Sequence, residues 1–173
     1  MPLALLFTAI VLAGLPVAAE IDPHSSAVHD GAVKECPITE PGLPLVPPAP
    51  YPIEAPYGTF WHGTSAFWTM LTPDGRWAFQ RSESTSITQK VFWWRPGFNG
   101  VRENYPDLSV TLRRLDASTP PVTITERATN AYHEAFGGWT MLTGVKIPTP
   151  GCWEITGRHR GSEVSFVVHV ADH

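Results

Sequence analysis

After Tyr57 the chain runs in short stretches where apolar and polar residues alternate, broken by turn-forming residues about every ten positions. Alternation sends successive side chains to opposite faces of an extended backbone, so each stretch reads as a half-buried strand. Strands are predicted near 65–71, 76–81, 88–94, 108–115, 122–126, 139–145, 152–159 and 163–170. Val, Ile, Thr and aromatic side chains fill them, as pleated surfaces favour. Short strands separated by frequent turns are the pattern of a sandwich or barrel.

Two turns are specified locally. Thr72-Pro73-Asp74-Gly75 combines a fixed φ with an Asp-Gly pair and predicts a tight hairpin joining the first two strands. Gly161-Ser162 predicts a two-residue turn between the last two, setting Glu154 opposite His169. Trp153, Ile155, Phe166, Val168 and Val170 then share a core face, while Cys152, Glu154 and Thr156 point outward. His159 and His169 fall on opposite faces. Residues 127–136 have some helical character, but Gly137-Gly138 ends it and no second helix exists to pack with, so the stretch reads as a loop.

The N-terminal third has a different texture. From Leu3 to Ala19 the chain is apolar and uncharged, Pro16 cuts it short of a membrane span, and Val17-Ala18-Ala19 ends it with small residues. This predicts a signal peptide at 1–19, cleaved before Glu20, and an exported product, periplasmic or extracellular, with no membrane span once the leader is removed. Residues 20–35 have the polar composition of a mobile tail. Eight prolines between Pro37 and Pro56 deny the backbone its ladder donors and predict an extended strap at 36–56, ahead of a β-domain at 57–173.

Composition narrows the function. Charged residues are only 16% of the chain and the net charge is −4, so no basic surface for nucleic acid is expected. Hydrophobic residues at 43% exclude disorder, and 18 Pro with 14 Gly exclude a helical bundle. Cys36 and Cys152 are the two cysteines, and export to an oxidising compartment favours a bridge between them over two buried thiols.

Three stretches together resemble a family of uncharacterised exported bacterial proteins: Cys36-Pro37-Ile38-Thr39, Trp93-Trp94-Arg95, and Gly151-Cys152-Trp153-Glu154-Ile155-Thr156-Gly157. The likeness covers residues 36–170, and the last motif is the specific one. The resemblance implies a single immunoglobulin-like sandwich with a Cys36–Cys152 disulfide. It assigns no activity, so no catalytic residue is carried over from it.

Local motifs add little chemistry. His133-Glu134 opens a zincin-like pattern that fails at Gly137, and His62-Gly63-Thr64-Ser65 lacks the surroundings of a triad. His24 and His29, with Asp22 and Asp30, lie in the tail; His62 and His173 have no evident partner. Glu126 and Glu134 could pair as carboxylates only at a separation the sequence does not give. Neither a metal nor another cofactor is expected. The strongest candidate is aromatic: in Lys90-Val91-Phe92-Trp93-Trp94-Arg95, Phe92 and Trp94 share one face and Trp93 takes the other. Phe92, Trp93 and Trp94 therefore form a candidate stacking platform, set against burial in the core or beneath the strap. The expectation is an all-β, immunoglobulin-like antiparallel sandwich of seven to nine strands with a Pro-rich strap, acting as a non-catalytic binding or structural module. Its partner is unknown, with cell-envelope glycan or protein the candidates. The alternatives are an envelope-glycan hydrolase and a His-based periplasmic metal carrier.

Overall fold

The alternating stretches fold into two sheets packed face to face, an all-β sandwich. The computed structural model describes residues 35–79 and 87–172. The leader, most of the tail, Arg81 at the end of one expected strand, and His173 lie outside them. Among the described residues the strands are β1 (Phe60–Gly63), β2 (Trp68–Leu71), β3 (Arg76–Phe79), β4 (Ile87–Trp94), β5 (Leu108–Arg114), β6 (Val122–Thr123), β7 (Thr129–His133), β8 (Gly138–Ile147), β9 (Gly151–His159) and β10 (Ser162–Asp172). One sheet runs β1-β2-β4-β8-β7 and the other β3-β10-β9-β5-β6. Every pairing is antiparallel except that of β3 with β10.

Side chains from the two inner faces meet in one core. Leu71, Val91, Trp93, Met141, Val145 and Ile147 come from the first sheet, and Val110, Leu112, Trp153, Ile155, Phe166 and Val168 from the second. The core face expected for the last two strands is buried, at Trp153, Ile155, Phe166, Val168 and Val170, and Glu154 and His169 lie outside it; Cys152 and Thr156, also expected to point outward, are nevertheless buried, so burial does not alternate along β9.

The strand set differs from the sequence expectation at β1 and β7, both additional. The stretch read as a loop from 127 contains β7 and then a single 3-10 turn, Glu134–Phe136, ended by Gly137 at φ 74°. β7 shows no alternation because neither of its faces is fully covered. β1 shows none because both of its faces carry an aromatic residue, Phe60 and Trp61.

Both turns also differ. The Thr72–Gly75 turn forms, with Gly75 N–H donating to Thr72 O at 3.1 Å, but it does not close a hairpin. β2 stays in the first sheet and β3 crosses to the second. The reason lies in Pro73: the paired-strand type I′ turn needs positive φ at both central residues, and proline cannot supply it. In the last hairpin the central residues are Arg160, φ 49°, and Gly161, φ 79°, both in the left-handed region that a type I′ turn requires. Ser162 pairs with His159, and His169 with Cys152 instead of Glu154. The pairing has slid by two positions. An even slide preserves the faces, so the same residues of β9 and β10 meet the core in either register.

Candidate functional site

The disulfide joins the strap to the outside of the second sheet. Cys36 and Cys152 are bonded, with Cα atoms 5.5 Å apart. Cys152 points away from the core, and its main chain is held on both sides: Leu115 N–H donates to its carbonyl at 2.8 Å, and its own N–H donates to the Asp116 carboxylate at 3.1 Å. Three residues along the strap, Thr39 docks on β10 like a short strand. Its N–H donates to Val167 O at 3.0 Å, and its hydroxyl accepts from Val167 N–H at 2.8 Å. Both groups of Val167 at the β10 edge are thereby satisfied.

Beyond Thr39 the strap passes to the outer face of the other sheet. There Trp61, Trp68 and Trp94 project outward and are covered by Tyr51, with Leu45 and Ala55 packed alongside and Phe136 closing the margin. Tyr51 sets its ring edge-to-face on Trp68 at 5.1 Å, and its hydroxyl donates to Arg95 O at 2.9 Å. Trp61 Nε1 donates to Pro52 O at 3.1 Å. Burial raises the Tyr51 phenol above its ordinary pKa, while the Arg95 charge acts more weakly in the opposite direction. The indole N–H groups of Trp68 and Trp94 have no acceptor among the described residues. Rings surround them instead: Trp61 and Phe136 stand edge-to-face with Trp94 at 5.0 and 5.5 Å.

This arrangement decides how the aromatic candidates sit. Trp94 is 0% exposed beneath the strap, Trp93 is 0% exposed in the core, and Phe92 is half-buried at the edge of the outer cluster. A sugar ring needs an open aromatic face, and neither tryptophan has one. The two sides of β4 are covered by different things, sandwich on one and strap on the other.

Where β4 ends, Arg95 builds a polar cluster that no local motif marks. Its guanidinium is ion-paired with Glu103, from the following loop, and its Nε donates to His159 Nε2 at 3.1 Å. Since Nε2 accepts, the proton sits on Nδ1, which donates to Asp107 O at 2.8 Å. Arg160, from the left-handed turn, reaches the same Glu103 carboxylate at 3.2 Å. One carboxylate thus lies between two guanidinium groups, and the imidazole has both nitrogens engaged. Such a cluster holds the end of the sandwich together; it leaves no free base on His159. His159 and Arg160 of this cluster, with Asp107, Ser109, Arg158 and Glu163, line an open hollow of about 440 Å³.

The other histidines are separate. His62 bonds Ser165 O at 2.9 Å, His133 Nδ1 accepts from Ala135 N–H at 3.1 Å, and His169 is exposed on the outer face. Among the described residues, no three His, Cys, Asp or Glu side chains converge on a point where a metal could bind. His24, His29, Asp22 and Asp30 lie outside the described residues. Glu126 and Glu134 are both exposed, either side of β7. No described helix is long and apolar enough to cross a membrane. Comparison of the chain with protein-family models, with curated proteins and with solved structures finds no match.

Proposed function

We propose that the chain is an exported, non-catalytic binding or structural module on an immunoglobulin-like sandwich, of the uncharacterised exported bacterial family whose motifs it resembles. The observation that carries this reading is that the three motifs interlock. Cys36 is bonded to Cys152, Thr39 is docked on β10, and Trp93 packs against Gly157 across the sandwich. Arg95, the last residue of the middle motif, bonds His159, two residues beyond the last one. Residues that act as fasteners are those a rigid scaffold requires, and here the motif residues are fasteners.

Export is supported by the apolar leader and by the disulfide, which persists in oxidising compartments. The candidate partner is insoluble envelope glycan or an envelope protein, met by the outer surface and not by the buried tryptophans. Incubating the mature protein with purified envelope glycan, and following both co-sedimentation and release of soluble sugar, tests the reading. Retention without release is expected of a glycan-binding module, and neither of a protein-binding or structural one. Sugar released in proportion to protein and time would make the chain a hydrolase, and a stoichiometric metal retained through purification would make it a carrier.

A further inference from the structure

The sandwich is open along one margin. β8 packs across from β5, so the next strand of its sheet, β7, stands across from β6, which has only two residues before the chain crosses over to begin β7. The inward side of β7 is therefore poorly covered. Asn130 pairs with the core residue Met141, and two positions on Tyr132 pairs with Trp139, so all four side chains belong to that inward side. Met141 is 0% exposed, yet Tyr132 is 58% exposed and Trp139 only partly buried. The rings of Tyr132 and Trp139 stand edge-to-face at 5.3 Å, which leaves Tyr132 with open ring surface.

Polar groups border these rings, and the loop after β4 is fastened beside them. Asn130 Nδ2 donates to the carbonyls of Gly100 and Asn104, at 3.2 and 2.9 Å, and to Asn104 Oδ1 at 3.0 Å. Gly100 thereby sits against Trp139, with no room for a Cβ between them. Two donors remain unspent. Among the described residues, the buried side-chain nitrogens without an acceptor are those of Trp68 and Trp94, so Trp139 Nε1, which donates to nothing, is open to solvent. Asn104 is exposed; its Oδ1 is taken by Asn130, and its Nδ2 donates to nothing among the described residues. Val101, 75% exposed, follows Gly100 at the same border.

We infer that this margin is a glycan subsite, which takes one N-acetylhexosamine unit of a polysaccharide chain with Tyr132 as its stacking ring. The inference rests on the reading that the partner is envelope glycan, and it gives that glycan a place on the surface. A pyranose has a C–H face that stacks on an aromatic ring, and Tyr132 supplies the open ring that Trp93 and Trp94 lack. Both unspent groups beside it are donors, so they select an acceptor, and the strongest acceptor on a neutral sugar is the carbonyl of an acetamido substituent. The acetamido methyl has Val101 at the same border to pack against. Neither a carboxylate nor a guanidinium belongs to the cluster, which matches an uncharged unit. A stable protein interface covers about 800 Å² on each partner, whereas two rings bordered by amides suit a single sugar. The other exposed tyrosines lack this combination: Arg127 lies over the Tyr105 ring at 4.0 Å, and Tyr57 stands beside His133 and Phe136.

Tryptophan fluorescence titration of the oxidised protein with a short β-linked N-acetylglucosamine oligosaccharide, and with the matching glucose oligosaccharide, tests the inference. Saturable binding of the first is expected, with the second about tenfold weaker. Tyr132→Ala should weaken binding about tenfold through loss of the stacking ring, while Tyr57→Ala leaves it unchanged. Trp139→Phe keeps a ring against Gly100 but removes the N–H, and should abolish the fluorescence change while calorimetry still shows weakened binding. Tyr132 and Tyr57 are exposed, so folding is retained, and circular dichroism checks it for all three variants. Equal affinity for the two oligosaccharides, or equal affinity of wild type and Tyr132→Ala, overturns the inference. A protein that pellets with insoluble envelope glycan, and does so equally well as Tyr132→Ala, overturns it while the glycan-binding reading stands. A protein that binds neither the oligosaccharides nor the insoluble glycan overturns it too, and leaves the module a protein partner or a structural role.

Discussion

Trp93 and Gly157 occupy one space from opposite sheets. The indole of Trp93 lies on the backbone of β9, and a Cβ built on Gly157 would stand 2.6 Å from Cη2 and 2.9 Å from Cε3 of that ring. On its other side the ring stacks on Phe67 at 5.6 Å, and its Nε1 donates to Thr143 Oγ1 at 2.9 Å. This indole is thus fixed by a hydrogen bond in its own sheet and by the missing side chain in the facing one. Close packing of this kind leaves no slack for an added methyl group.

Gly157→Ala is therefore expected to destabilise the fold by overpacking, by about 1 to 3 kcal/mol in chemical denaturation. Trp93→Phe alone leaves a void. The smaller ring also makes room for the methyl, so the double variant should lose less than the sum of the two single losses. Strict additivity would mean that the two residues do not share the space.

The strap has two anchors that can be separated. Cys36→Ser removes a cross-link between residues 116 apart in sequence, with an expected loss of about 2 to 5 kcal/mol. Protease should then cut near residues 37–43, while Trp61, Trp68 and Trp94 stay shielded from quencher, because Tyr51, Leu45 and Ala55 still cover them. Tyr51→Ala should do the reverse, admitting quencher to these indoles with the disulfide intact. If Cys36→Ser exposes the tryptophans as much as Tyr51→Ala does, the disulfide alone holds the strap.

How far the fold can be read from the sequence depends on the range of the interaction. β4, β8, β9 and β10 were legible because alternation is local and one side of each strand faces the core. The Phe92–Trp94 run is ambiguous for a physical reason: at this end of β4 Trp93 is buried in the sandwich and Trp94 beneath the strap, so apolar residues stand on both faces and alternation does not separate a covered face from an open one. In the Thr72–Gly75 turn Asp74-Gly75 suggests a hairpin, but Pro73 at the first central position decides against it. Arg95, Glu103 and His159 were beyond local reading altogether. Arg95 and His159 are 64 positions apart and meet only once two sheets have packed, and nothing periodic marks Glu103.

Removing Glu103 should test whether that cluster fastens the sandwich. Glu103→Gln leaves Arg95 and Arg160 without the carboxylate between them, and the side chains of Arg95 and Glu103 are largely shielded, 16% and 20% exposed. A loss of about 2 kcal/mol is expected, because a shielded guanidinium loses its counter-charge. Arg160→Ala, whose side chain is 61% exposed, should cost far less, and Arg160→Gly should recover some of that by relieving the left-handed backbone. Equal losses for Glu103→Gln and Arg160→Ala would mean that the outer pair carries the cluster.

Acid sensitivity should converge on Asp116, beside the disulfide. Arg114 grips its carboxylate, with Nε 2.6 Å from Oδ1, and this hydrogen bond holds the Asp116 pKa below its ordinary value. Partial burial opposes the shift, and the Cys152 N–H reinforces it. The folded protein therefore binds the proton less readily than the unfolded chain, so the charged form of Asp116 stabilises the fold above the ordinary Asp pKa, about 4. That contribution fades as the pH falls from this value through the lower, folded one. Asp116→Asn keeps an acceptor for the Cys152 N–H and removes only the charge. Denaturation curves of wild type and variant should differ near neutrality, with wild type the more stable, and draw together as the solution is acidified below about pH 4. Asp74, also held below its ordinary pKa, chiefly by the Thr72 side chain, is present in both proteins and cancels from the difference. A gap that stays constant on acidification, or widens, would show that the Arg114–Asp116 pair contributes nothing through its charge.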